Sequence, residues 1–106
     1  PNDNFLIDGK NYYNSIAIYK DQIIEKWIIQ NNINNLNFKN IRKILDQKPD
    51  IFILGTGEKQ IFPNSDVLKY LSDNKITCDI MSTNSACRTF NILQQENRNV
   101  FAALIL

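Results

Sequence analysis

The chain has no histidine, and it has three glycines, three prolines and two cysteines in 106 residues. Without histidine, Ser-His-Asp and Cys-His catalysis are excluded, as is any His-ligated metal site. Two cysteines, Cys78 and Cys87, cannot build a structural zinc site. They are also too few for the disulfide scaffold of a secreted domain, so a reducing compartment is expected. No stretch approaches the roughly 18 consecutive apolar residues of a spanning helix. The first apolar run, Phe5-Leu6-Ile7, is too short for a signal-peptide core, and the start does not read as an Arg-rich presequence. Lys and Arg are spread along a chain of formal net charge +1. That leaves no electrostatic case for nucleic acid, which needs clustered cations.

What is present is ordinary for a soluble globule: 43% hydrophobic and 22% charged residues. One domain over residues 1–106 is the expectation, large enough for a core without staples. Ile, Asn and Lys are frequent and Ala is scarce, the composition of an AT-rich genome. A bacterial, cytoplasmic protein is expected.

The N-terminal half reads as strands: Asn4 to Asp8, then Asn11 to Tyr19 after the Gly9-Lys10 turn, then Ile23 to Ile29. For the last of these a short helix also fits. Asn31 to Asn37 reads as a loop. Phe38, Ile41, Ile44 and Leu45 have the spacing of a short helix capped by Asn37.

Ile51-Phe52-Ile53-Leu54 is an unbroken apolar run, the pattern of a strand buried on both faces. Val67, Leu68 and Leu71 mark a helix ending near Asn74. Ile76 to Met81 is the next strand. Ser82 or Thr83 caps a helix running to about Glu96. Val100 to Leu106 reads as a central strand. Strand and helix thus alternate through the second half, which argues for an α/β sandwich.

Four motifs fall in order along this half. They are Asp50-Ile51-Phe52-Ile53-Leu54-Gly55-Thr56-Gly57, Asp79-Ile80-Met81-Ser82-Thr83, Ala86-Cys87-Arg88-Thr89-Phe90-Asn91-Ile92-Leu93, and Glu96-Asn97-Arg98-Asn99-Val100 closing with Ala102-Ala103-Leu104-Ile105. Together they resemble a domain-of-unknown-function family. It includes the third of the mitochondrial NADH dehydrogenase (complex I) alpha-subcomplex assembly factors, the adipogenesis-associated domain proteins, and small bacterial and archaeal proteins. The resemblance implies a three-layer sandwich around a central mixed five-stranded sheet, with extra N-terminal strands and the last strand inside the sheet. It also implies a mitochondrial location for the eukaryotic relatives. Asn97 stands where the family has Gly. Asn is the residue that best tolerates the left-handed conformation after Gly, so the turn should survive. Asp79 replaces the family's Glu. Phe90 replaces its Tyr and removes a hydroxyl.

Gly55-Thr56-Gly57 ends a buried strand, where ligands bind in open α/β sheets. It serves equally as a tight turn needing positive φ. Ser82, Thr83, Ser85, Cys87 and Arg88 lie near a helix start, where an anion is favoured and the Cys87 pKa could fall. The same residues also read as a cap, a small buried thiol and an Arg88–Asp79 pair. Asn91 shares a helix face with Arg88. Glu96 and Arg98 flank the following turn, where one salt bridge would fit. The candidate ligand site is therefore Gly55, Thr56, Gly57, Cys87, Arg88 and Asn91.

No self-sufficient catalytic set is present, and no metal or cofactor is implied. The expected function is a non-catalytic assembly or interaction factor. Its partners would be proteins, respiratory-complex subunits or another assembly factor. The alternative is a small anionic-ligand-binding protein or weak enzyme with its polar site near Thr56 and Arg88.

Overall fold

Period-two burial on both faces of three strands organises the molecule. It is seen in a computed structural model, which describes residues 5–7, 10–19, 22–25, 27–28, 33, 42, 46 and 48–106. In β3 (Ile16–Tyr19), Ile16 and Ile18 face one layer while Ala17 and Tyr19 face the other. In β5 (Ile51–Gly55), Phe52 and Leu54 join Ala17 and Tyr19, and Ile53 joins Ile16 and Ile18. In β7 (Val100–Leu104), Phe101 and Ala103 take the first side and Val100, Ala102 and Leu104 the second. Strands this apolar on both faces must be covered on both faces, which is why the sheet is the middle layer.

The main sheet runs β4-β3-β7-β5-β6, where β4 is Gln22–Glu25 and β6 is Cys78–Met81. β3 is antiparallel to β4 and to β7. β5 is parallel to β6 and to β7. The sheet is therefore mixed and five-stranded among the described residues, with the last strand at its centre as the apolar run Val100 to Leu106 implied. β1 (Phe5–Ile7) and β2 (Lys10–Tyr12) form a separate antiparallel pair, the extra N-terminal strands.

Among the described residues, the two helices of the second half lie on opposite faces. α1 (Ser65–Asp73) buries Val67 and Leu71 among Phe52, Leu54 and Phe101. α2 (Thr83–Gln95) buries Ala86 and Phe90 among Ile53, Val100 and Leu104. Phe90 fits this apolar layer without the hydroxyl that the family's Tyr would bring. Asn64 caps α1 by accepting from the Val67 N–H at 3.0 Å. Ser82 caps α2 by accepting from the Ser85 N–H at 3.4 Å.

Both helices end in the same way. Lys75 (φ 58°) follows α1 and Asn97 (φ 58°) follows α2. In each, the next amide reaches back to the helix: Ile76 to the Leu71 carbonyl at 2.9 Å and Arg98 to the Leu93 carbonyl at 3.1 Å. This is the Schellman closure. Asn97 thus holds the left-handed position expected of the residue replacing Gly.

Two N-terminal boundaries differ from expectation, and the strands expected over Ile76 to Met81 and Val100 to Leu106 are each two residues shorter. The stretch from Asn11 to Tyr19 is not one strand, because it breaks between Tyr12 and Ile16. The chain leaves the small hairpin there and enters the main sheet. Tyr13 turns outward, 65% exposed, while Ser15 is fully buried and its hydroxyl accepts the Leu106 N–H at 3.0 Å. The strand expected from Ile23 to Ile29 stops at Glu25. Trp27 instead donates its indole N–H to the Leu104 carbonyl at 3.2 Å. The residues expected to form a helix, Phe38, Ile41, Ile44 and Leu45, and the loop Asn31 to Asn37 apart from Ile33, lie outside the described residues.

Candidate functional site

The carboxyl ends of β5, β6 and β7 meet the start of α2, and the residues there are bonded chiefly to one another. Thr56 continues β5 by donating its N–H to the Met81 carbonyl at 2.9 Å. Its hydroxyl lies 2.6 Å from the Lys59 carbonyl and 3.2 Å from that of Met81, and accepts the Ile61 N–H at 2.9 Å. Gly57, at φ 101°, turns the chain so that its N–H reaches the Thr83 hydroxyl at 2.8 Å. Its carbonyl accepts the Thr83 N–H, also at 2.8 Å. The Thr83 hydroxyl in turn donates to the Ile105 carbonyl. Ile105 donates its own N–H to the Gly55 carbonyl at 2.9 Å.

Gly55 is there for space. A Cβ on it would stand 3.0 Å from the Thr83 Cα and 3.1 Å from both the Ala86 Cβ and Leu104 Cδ2. The start of α2 therefore lies directly on the end of β5. Of the two glycines, Gly57 supplies a positive φ and Gly55 a close approach.

The rest of the candidate site lies further along α2. Thr56 is buried, 4% exposed, whereas Arg88 and Asn91 are exposed. Arg88 donates to the Ser85 hydroxyl at 3.2 Å, and Ser82 donates to the same oxygen at 3.1 Å. That line of side chains stays within α2 and its cap. Among the described residues Arg88 makes no ion pair with Asp79, and Glu96 makes none with Arg98.

Cys87 is partly buried, and burial pushes its thiol pKa up while the Arg88 guanidinium pulls it down less strongly. The helix start therefore does not make it a low-pKa nucleophile. Cys78 is pushed from 9.0 to about 12, by burial first and the Asp79 carboxylate second. The two thiols are free and pack against opposite faces of the sheet, so they cannot pair within one chain.

The Cys78 shift sets a pH dependence. The folded state keeps the proton between about 9 and about 12, where the unfolded thiol loses it. Its stabilising effect is complete below the unfolded pKa and fades as pH rises through that window. Urea unfolding at about pH 8 and about pH 10.5 should show a steeper loss in the wild type than in Cys78→Val. An equal loss in both proteins would refute the assignment.

Two features escaped the sequence reading. The first is the loop after Gly57. Its Ile61 and Phe62 side chains are 45% and 62% exposed. The backbone beneath them is pinned by Thr56, and Gln60 donates to the Ile80 carbonyl at 2.8 Å. The carbonyls of Thr77 and Met81 point toward β5. By alternation that of Ile80 points out from the sheet edge, so Gln60 also covers an edge acceptor. The apolar pair just before Pro63 was the available signal. The second feature is a cavity of about 320 Å³ at the other end of α2, lined by Phe90, Gln94, Asn97, Arg98, Asn99 and Val100. Among the described residues, Asn99 Oδ1 is buried there without a partner. Nothing in the spacing marks either its volume or that orphaned acceptor.

Among the described residues, no group of three or more His, Cys, Asp or Glu could hold a metal ion. Among the described residues, no helix is long and apolar enough to cross a membrane.

Fold and site together define a small α/β sandwich domain whose sheet end is closed by its own backbone and threonine hydroxyls. The chain matches the family described as "Protein of unknown function (DUF498/DUF598)" over residues 1–105, and it belongs to that family. It is 29% identical over 101 residues to the "13 kDa major membrane protein" of Francisella tularensis subsp. holarctica, covering 95% of this chain and 82% of that protein. It is also 29% identical over 106 residues to NADH dehydrogenase (ubiquinone) 1 alpha subcomplex assembly factor 3 of Xenopus tropicalis. That match covers 95% of this chain and 55% of the relative, so the chain spans about half the length of the assembly factor. A Xanthomonas campestris protein solved by NMR superposes with a TM-score of 0.85 at 29% identity, covering 97% of this chain and 77% of the other.

Proposed function

We propose that this chain is a non-catalytic interaction factor that helps assemble a multisubunit complex, with respiratory NADH dehydrogenase subunits or a second assembly factor as its partners. The family relationship to proteins named assembly factors supports that class. The observation that carries the reading is the loop holding Ile61 and Phe62. It offers apolar side chains on a backbone already fixed by Thr56 and Gln60. A pre-ordered apolar contact loses little entropy when a partner arrives. Thr56 supports this reading more than the ligand-site alternative, because its hydroxyl is engaged within the chain. A cytoplasmic setting is part of the proposal, in keeping with two free thiols on opposite faces.

Affinity capture from cells of the native organism tests it. The tagged chain should recover NADH dehydrogenase subunits or an assembly partner. The pair Ile61→Ser with Phe62→Ser should lose that recovery at least tenfold with an unchanged unfolding midpoint. Equal recovery by the variant would remove the loop from the proposal. Recovery of no subunit, together with a thermal shift by anionic metabolites that Arg88→Gln abolishes, would replace it with a ligand site around Thr56 and Arg88.

A further inference from the structure

The outer face of α2 carries an unusual charge pattern. The core side is fixed by Thr83, Ala86 and Phe90, which are buried. At 100° per residue the opposite side is Arg88, Ile92 and Gln95, flanked by Asn84 and Asn91. Arg88 is the only charged residue from Thr83 to Gln95, and the next residue, Glu96, is the C-cap. Ile92 stands between them, 57% exposed. One exposed isoleucine means nothing by itself. Here it is the middle of a row, Arg88-Ile92-Glu96, spaced four and four.

Glu96, an anion at the C-terminus, opposes the helix dipole, while Arg88, the sixth of thirteen residues, lies beyond the first turn where that dipole acts. Among the described residues neither makes an ion pair.

We infer that this row is a self-association surface, on which α2 of one copy packs antiparallel against α2 of a second copy with the two-fold axis at Ile92. Antiparallel pairing about residue 92 sets position 92 − k against 92 + k of the other copy. Arg88 then meets Glu96 of the second copy, and Glu96 meets its Arg88, while the two isoleucines pack on the axis. The contact is isologous, as two-fold dimers require. Each charge gains an opposite neighbour, and the two helix dipoles run antiparallel.

A single pair of short helices buries less than the roughly 1,200 Å² of a standard interface. The dimer is therefore weak and concentration-dependent. The inference goes beyond the proposed assembly role and uses none of the Ile61–Phe62 loop.

Sedimentation equilibrium of the purified chain from about 10 μM to about 1 mM covers the range in which a contact this small is populated. A monomer–dimer equilibrium is expected, weakened by high salt. Ile92→Lys should leave a monomer throughout. Arg88→Glu should weaken the dimer at least tenfold by setting like charges together. Arg88→Glu combined with Glu96→Arg should restore it to within about threefold of wild type, given the symmetric pairing. All three changes are on exposed side chains, and an unchanged unfolding midpoint confirms that each variant folds. A wild type that stays monomeric at about 1 mM would overturn the inference. So would a dimer indifferent to Ile92→Lys, or a double charge swap that fails to restore association.

Discussion

Phe101→Ala is expected to lower the unfolding free energy by about 3–5 kcal/mol, the range for deleting a large aromatic from a packed core. Phe101 is 2% exposed and lies on β7, the middle strand of five. Its ring stacks on Tyr19 at a centroid distance of 5.6 Å and meets Phe52 edge-on at 6.2 Å. Those two rings belong to the strands on either side, β3 and β5. Hydrogen-bonded ladders hold both neighbours in place, so the vacated space cannot close, and the loss should sit high in the range. Each aromatic pair adds about 0.5–1.5 kcal/mol beyond buried area. The measurement is urea unfolding, with a lower midpoint at constant m-value. Tyr13→Ala is the control, because Tyr13 is 65% exposed. It should stay within about 0.5 kcal/mol of wild type. A loss below about 1.5 kcal/mol for Phe101→Ala would mean that the three rings do not pack as a unit.

The strands around Phe101 were also the most legible part of the chain. Ile51 to Leu54 and Val100 to Leu106 are apolar at consecutive positions, and a strand covered on both faces carries such a run. Local chemistry likewise marked Ser82 or Thr83 as a cap, of which Ser82 is the one used, and Asn97 as a left-handed turn, since each depends on residues within a few positions. The N-terminal boundaries were less legible because distant partners set them. Ser15 bonds to Leu106, 91 residues away, and Trp27 bonds to Leu104, 77 residues away. No window on the sequence contains such a pair. Lys75 shows the opposite difficulty. It takes the same left-handed turn as Asn97 without a residue type that announces it.

The candidate site divides along the same line. Gly55, Thr56 and Gly57 were legible as a special strand end, but their partners were not. Thr56 reaches the Met81 carbonyl 25 residues on, and Gly57 reaches Thr83 26 residues on. A threonine bonded to its own backbone looks the same in sequence as one waiting for a ligand. Arg88 and Asn91 were rightly placed on one helix. Their exposure, and the bond from Arg88 to Ser85 in its own helix, depend on where α2 lies against the sheet. Ile61 and Phe62 read as ordinary apolar residues until the loop beneath them was seen to be pinned.

Thr83 is where these threads can be tested together. Its hydroxyl accepts from Gly57 and donates to Ile105, so one side chain ties the turn after β5, the start of α2 and the end of β7. Thr83→Val keeps the shape and removes both bonds. The Ile105 carbonyl would lose a donor in a buried setting, and the Gly57 N–H its acceptor. At about 1–3 kcal/mol for each buried polar group left unsatisfied, the expected loss is about 2–6 kcal/mol. Thr83→Ser keeps the hydroxyl and should recover most of it, less a modest term for the missing methyl. Hydrogen exchange separates this from a general loss of packing. The Gly57 amide should lose protection in Thr83→Val beyond the global change, whereas amides at the centre of β3 should follow the global change alone. A valine variant as stable as the serine variant would mean that the two bonds contribute nothing net. The sheet end would then be held by the close packing of Gly55 against α2, and the Thr56–Thr83 region would again be open to the ligand-site reading.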